Sequence, residues 1–230
     1  MSTNGHQKIG LIGGLSWEST ATYYKYFNQL ASRQTNWSQP EIIIDSLDFG
    51  LIVPLQQEEN WTATGEILAD SARRLAKAGA TVIGIGANTM HINFEAVQSG
   101  VTIPVIDVRT AVAKEAHDRG FSKLALLGTR YVLEQDFYSE KLELGGVTVI
   151  KPDSETVERL QEIIFNELTQ GIVRKESKNL LIAAAHQCLE AGAEIVGLCC
   201  TEFSLLLEED EIFPSIDSTK AHVRALLAHS

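Results

Sequence analysis

Positive charge is scarce in this chain. Lys and Arg number 19 against 30 Asp and Glu, a formal net charge of −11. That balance argues against nucleic acid and anionic membrane as partners, although one local cation could still hold a small acidic ligand. Cysteine is sparse too: Cys188, Cys199 and Cys200 are the whole set. None forms a C-x-x-C pair, adjacent cysteines rarely bridge each other, and an odd, low count fits a reducing compartment. No run approaches the roughly 18 apolar residues that a membrane helix needs. Met1–Lys8 is polar and lacks an apolar signal region. A cytoplasmic protein is expected, one that neither crosses nor binds a membrane. Gly/Ser-rich and Pro-rich linkers are missing as well, so any two lobes should be closely joined.

The 230 residues, 44% hydrophobic and 21% charged, suffice for a sizeable core. They also repeat. Ala78-Gly79-Ala80-Thr81-Val82-Ile83-Gly84-Ile85 lines up with Ala191-Gly192-Ala193-Glu194-Ile195-Val196-Gly197-Leu198, an offset of 113. Ile9–Gly13 lines up with Leu124–Gly128, and Ile103-Pro104-Val105-Ile106-Asp107 with Phe213-Pro214-Ser215-Ile216-Asp217. Common order with a small drift in offset points to a duplication. Short apolar runs at 9–12, 42–46, 82–85, 124–127, 147–150 and 195–198 read as buried parallel strands. Apolar spacings of three and four predict helices over 20–31, 67–78, 109–119, 134–142, 156–168, 178–191 and 220–228. Gly79 and Gly192 fall where a left-handed helix cap favours glycine. The predicted class is α/β, flavodoxin-like, with two pseudo-symmetric lobes, each a parallel sheet flanked by helices, and the site in the cleft between them. Because a helix follows each P-x-I-D segment, symmetry assigns 1–107 with 217–230 to one lobe and 108–216 to the other.

Ligands of open α/β sheets bind beyond the carboxyl ends of the strands. Those ends carry Gly13-Gly14-Leu15-Ser16, Gly86-Ala87-Asn88-Thr89-Met90-His91, Gly128-Thr129-Arg130-Tyr131 and Cys199-Cys200-Thr201-Glu202. Small residues there permit close approach, and helix starts behind them would offer N–H groups to an anion. Cys200, at a strand end before a helix start, reads either as an activated thiol of lowered pKa or as a small buried hydrophobe. Cys188, inside a helix, reads as structural. The offset of 113 pairs Cys200 with Ala87, so the two would face each other across the cleft. Removing a proton from one face of a carbon and returning one to the other needs two acid/base groups, and alanine carries none. Glu202 either meets a substrate amine or favours a helix dipole. His91 is either a polar orienter or a packing residue, and Tyr23, Tyr24, Tyr26 and Phe27 read as core. Gly10-x-x-Gly13-Gly14 lacks the spacing of a nucleotide fingerprint. No Ser-His-Asp set and no metal cluster is visible.

Gly13–Thr20 followed by Tyr23-Tyr24, together with Leu47-Asp48-Phe49, Asn88–His91, Gly128–Tyr131 and Cys200-Thr201-Glu202, resembles the aspartate/glutamate racemase family in the right order over nearly the whole chain. The resemblance implies an isomerase that works without a cofactor, on a small amino acid, through a pair of cysteines. Cys200 matches the second of the pair, and Ala87 stands where the first, or in some members a threonine, is expected. Asn88, Thr89, Thr129 and Thr201 match substrate contacts, and Ser16 matches a loop that helps close the site. A homodimer is expected only because dimers are common.

Two departures bear on specificity. Pro54 occupies the place of an arginine found in dicarboxylate-specific members, and Ile172 that of a lysine, although Arg174 and Lys175 are close. An acidic side chain therefore has no obvious partner. Three readings of Ala87 stay open: a racemase whose first cysteine was replaced, a single-cysteine lyase or decarboxylase, and a non-catalytic amino-acid-binding protein.

Overall fold

The computed structural model describes residues 7–31 and 37–229, so most of the polar start, Met1 to His6, lies outside the described residues. Two four-stranded parallel sheets make up the frame. The first holds β1 (Lys8–Gly13), β2 (Glu41–Ser46), β3 (Val82–Ile85) and β4 (Val105–Ile106) in the order β2-β1-β3-β4. The second holds β5 (Lys123–Gly128), β6 (Thr148–Ile150), β7 (Ile195–Cys199) and β8 (Ser215–Asp217) in the order β6-β5-β7-β8. The two orders are the same sequence of connections, as a duplicated chain requires.

The repeat extends to individual hydrogen bonds. Thr81 N donates to Lys8 O at 2.8 Å, and Glu194 N to Lys123 O at 2.8 Å. Ile83 N donates to Pro104 O, and Val196 N to Pro214 O, both at 2.9 Å. Gly79 and Gly192 have φ of 96° and 102°, the region where a Cβ is penalised. The P-x-I-D segments are the short outer strands β4 and β8, too brief to be read as strands from periodicity. Their aspartates cap the helices that follow. Asp107 Oδ1 accepts from Arg109 N at 2.9 Å, and Asp217 Oδ1 from Thr219 N at 2.8 Å, each such cap contributing about 1 kcal/mol.

Helices cover both faces of each sheet, since β1, β3, β5 and β7 are buried along almost their full length. On the first sheet, α1 (Trp17–Leu30) lies on one face. On the other are α2 (Phe49–Gln57), α3 (Trp61–Lys77) and α4 (Phe94–Ser99). On the second sheet, α5 (Val108–Asp118), α6 (Arg130–Glu134) and α7 (Asp136–Leu144) share one face. The other carries α8 (Ser154–Asn166) and α9 (Lys175–Glu190). The last helix, α10 (Ser218–Ala228), packs on α5 and α1 and touches strands of both sheets, β3 and β4 as well as β7 and β8. Val223 and Leu226 join Ile9, Leu11, Tyr23, Phe27 and Val82 in one buried cluster. The approach is close at Gly84, where a Cβ would stand 2.7 Å from Leu226 Cδ1.

Two expectations need correction. Tyr24 is 51% exposed rather than core, because on α1 it sits off the face formed by Tyr23, Tyr26 and Phe27. The helix expected over 134–142 is α7 and begins two residues later, at Asp136, because Gln135, whose ψ of 141° is extended, separates it from the short α6. The segment 49–57, which has no clear period and contains Pro54, adds a helix not read from periodicity, capped by Asp48 Oδ1 on Gly50 N at 2.9 Å.

Candidate active site between the two sheets

Carboxyl ends of strands from both sheets close on one cavity. It encloses about 440 Å³ including its open mouth, and Ala87, Asn88, Thr89, Thr129, Cys200, Thr201 and Glu202 all lie on its wall. Ala87 follows β3 and Cys200 follows β7, so the residues paired by the repeat share one space. Ser16 belongs to the same cluster through Glu202.

Of the four strands whose ends carry the candidate residues, β1 alone leads into a long helix. β3 is followed by a 3₁₀ turn (Thr89–Asn93), β7 by another (Thr201–Leu205), and β5 by the five-residue α6. The long helix starts anticipated behind these strands are absent, and the dipole a five-residue turn can offer is small. Of the two readings of Cys200, the structure without ligand weighs toward the small buried thiol. Cys200 is 6% exposed, and its pKa is pushed well up, first by burial and then by the neighbouring Glu202 carboxylate. The site without ligand therefore holds a neutral thiol.

Glu202 organises the second-lobe side. Its Oε2 accepts from Cys200 Sγ at 3.1 Å and from Thr201 Oγ1 at 2.6 Å, while Oε1 accepts from Ser16 Oγ at 2.5 Å. All three donors are neutral, and no cation pairs with this carboxylate among the described residues. Glu202 is itself 5% exposed, so it is a buried charge held by hydroxyls and a thiol alone, an arrangement that favours an incoming cation. Ser16 is the N-cap of α1 and also accepts from Ser19 N at 3.0 Å. Its φ of 124° is strained for a residue with a Cβ.

From the first lobe, Thr89 Oγ1 meets Thr129 Oγ1 at 2.9 Å, joining the ends of β3 and β5 across the cleft. Asn88 differs from expectation. Its Nδ2 donates to Ser218 Oγ at 3.0 Å, and its Oδ1 accepts from Tyr138 OH at 2.8 Å. Both ends of its carboxamide are thus engaged by α10 and α7, although the residue lines the cavity. His91 is a packing residue: Val108 N donates to its Nε2 at 3.2 Å, which leaves Nδ1–H to donate to Ala87 O at 2.8 Å. Burial pushes its pKa down to about 4. Neither ring nitrogen is available as an alternative base beside Ala87.

The rest of the wall is apolar, from Leu15, Phe49, Met90, Ile164 and Phe165, with Gln56 and Thr169 adding polar atoms. The sequence reading missed Gln56, Tyr138 and Ser218 as site residues. Gln56 follows Pro54 by two residues, and its local sequence carries no sign that it reaches the cavity. Tyr138 and Ser218 reach Asn88 from 50 and 130 residues away, a relation that no local pattern carries. Arg174 pairs with Glu167 and does not line the cavity. Among the described residues no group of three or more His, Cys, Asp or Glu could hold a metal ion, and no helix is long and apolar enough to cross a membrane.

The sequence profile described as Asp/Glu/hydantoin racemase matches residues 12–226. A broad-specificity amino-acid racemase of Bacillus subtilis (strain 168), RacX, is 25% identical over 96% of this chain and 99% of its own length. Among solved structures, an Asp/Glu racemase-like protein of Yersinia pestis superposes with a TM-score of 0.86 at 35% identity, covering 96% of this chain and 97% of the other. An aspartate racemase homologue of Pyrococcus horikoshii OT3 gives 0.83 at 36% identity with the same coverage.

Proposed function

Since the chain belongs to the Asp/Glu/hydantoin racemase family, we propose that it binds an α-amino acid between Ala87 and Cys200 and moves the α-proton through the Cys200 sulfur. The observation that carries this reading is the 3.1 Å contact of Cys200 Sγ with Glu202 Oε2 on the wall of a cavity shared with Ala87. The substrate ammonium supplies the positive charge that the Glu202 cluster lacks. With that charge in place the penalty on a thiolate falls, and the Cys200 proton passes to Glu202 Oε2. The thiolate then takes the proton on Cα, and the C–H electrons move into the substrate carboxylate. Thr89, Thr129 and Thr201 supply hydroxyl donors for the charge that develops there.

Completing racemisation requires a proton delivered to the opposite face. Ala87 occupies that side of the repeat and has only a methyl group. In this reading the chain as it stands carries one of two bases, and two-faced transfer awaits a donor at 87. The test is Ala87→Cys. The variant should racemise at least one amino acid and exchange its α-proton with solvent deuterium, measured by chiral chromatography and NMR. No change across a broad amino-acid panel would end the racemase reading.

The methyl of Ala87 also favours a second reading, a one-cysteine lyase or decarboxylase in which Cys200 protonates a carbanion from one side. Here the native chain must already be active on a carboxylated substrate, and Cys200→Ala must abolish that activity.

A further inference from the structure

Asn88 is held by a chain of hydrogen bonds that can run in only one direction. At its far end Ser218 Oγ donates to Leu198 O at 2.9 Å. A carbonyl oxygen has no hydrogen to give, so the single hydroxyl hydrogen of Ser218 is spent there. Toward Asn88, 3.0 Å away, Ser218 can therefore only accept. The end of the carboxamide that faces it must be the NH2 group. The oxygen is thereby turned to Tyr138, whose hydroxyl donates to it at 2.8 Å. Asn88, Tyr138, Ser218 and Leu198 are all buried, and linked bonds in such surroundings strengthen one another.

The start of α10 does not need this hydroxyl. Asp217 already caps the helix through Thr219 N and Lys220 N. In the first half of the chain the residue after the capping aspartate is Val108, equally buried and with no hydroxyl. What the Ser218 link does fix is the polarity of Asn88. One of the two hydrogens on Nδ2 goes to Ser218, and the other has no partner among the described residues, on a side chain that lines the cavity. Elsewhere on that wall the Glu202 carboxylate offers only acceptor oxygens. An amino acid carries the complement of both, an ammonium group for Glu202 and a carboxylate for an amide hydrogen.

Resting on the reading of this cavity as an amino-acid site, we propose that Ser218 is a positioning residue: by accepting from Asn88 Nδ2 it aims the second amide hydrogen at the α-carboxylate of the ligand. The ligand then lies with its nitrogen toward Glu202 and its carboxylate toward Asn88. Without the Ser218 hydroxyl the carboxamide is free to turn its oxygen to that carboxylate, and two acceptors repel.

Calorimetry on the intact chain starts from the common amino acids in both enantiomers and takes the tightest binder, with its decarboxylated amine, through the variants. Ser218→Ala should weaken the amino acid by about tenfold or more at unchanged stoichiometry, and the amine far less. Ser218→Thr, which keeps the hydroxyl, should restore binding. Native affinity in Ser218→Ala overturns the proposal. So does a loss shared equally by the amine, or one repeated in Ser218→Thr, either of which a merely structural role would give. NMR of the 15N-labelled native chain adds a reading that needs no variant: one Nδ2 hydrogen of Asn88 should shift markedly when the amino acid is added, and the other little. If Ser218→Ala fails to fold, this reading decides, and two hydrogens that ignore the ligand overturn the proposal. Binding of no amino acid by the native chain removes the amino-acid site itself, whereas binding that does not depend on Ser218 removes only its positioning role.

Discussion

Ser16 and Glu202, 186 residues apart in the chain, share a 2.5 Å hydrogen bond that ties the loop after β1 to the loop after β7. The serine holds this bond from a backbone with φ of 124° and at the same time caps α1. Strain, cap and inter-lobe bond converge on a single hydroxyl. Ser16→Ala keeps the strain and loses both bonds, so it should cost about 1–3 kcal/mol in urea unfolding. Ser16→Gly relieves the strain and should cost less than Ser16→Ala. Equal stability of all three forms would mean that the Ser16–Glu202 contact contributes nothing.

The thiol of Cys200 is held neutral by burial and by the charge of Glu202. Alkylation by iodoacetamide should therefore be slow at pH 8 and should rise only at clearly alkaline pH. In Glu202→Gln the negative neighbour is gone, and the alkylation profile of Cys200, followed by mass spectrometry of the 200-containing peptide, should move to lower pH. Burial persists in the variant, so the profile should remain above that of a free thiol. A profile unmoved by the substitution would remove Glu202 as a partner of the sulfur.

Thr201 donates to Glu202 Oε2 at 2.6 Å from the wall of the cavity. In an Ala87→Cys background, Thr201→Val should lower turnover by about 10²–10³-fold, the typical loss of one charge-stabilising donor. Unchanged kcat would show that the hydroxyl is not used.

Two buried imidazoles should make the fold sensitive to acid. His222 accepts from Tyr23 OH on Nδ1 at 2.8 Å and donates from Nε2 to Ile106 O at 2.8 Å. Its ring stands 5.4 Å from that of His91. Burial first, and for His222 the neighbouring His91 second, push the pKa values down from 6.5, to about 4 for His91 and about 3 for His222. The unfolded chain binds these protons first, so the stabilisation is complete above pH 6.5 and is lost as pH falls toward the folded values. Between pH 6 and 4.5 the unfolding free energy should drop, each histidine contributing up to about 1.4 kcal/mol per pH unit. His222→Gln can keep both hydrogen bonds without the titration, and its stability profile should be shallower by up to one proton. An identical slope in the variant would assign the acid sensitivity elsewhere.

Fold and site were legible to different depths. Periodicity exposed β1, β3, β5 and β7 because strands buried on both faces are written as unbroken apolar runs. The alignment of 78–85 with 191–198 revealed the twofold design before any coordinates. β4 and β8 escaped because two or three residues carry no period, and α2 escaped because Pro54 and its apolar neighbours blur one. At the site, chain order placed Ala87, Thr89, Thr129, Cys200 and Thr201 at strand ends, and those strand ends do converge. The sequence did not show who neighbours whom at hydrogen-bond range. The engagement of Asn88 by Tyr138 and Ser218 depends on two separate helices, and the neutral state of Cys200 depends on burial that only packing creates.

The contacts of α10 with α1 and β3 tie the end of the chain back to the first sheet, where Val223 and Leu226 share a buried cluster with Ile9, Leu11 and Val82. A fragment that stops before this helix leaves that apolar face bare. Residues 1–107 expressed alone should then be insoluble and be rescued by co-expression of 108–230; a soluble, folded 1–107 fragment would show that the face does not need α10.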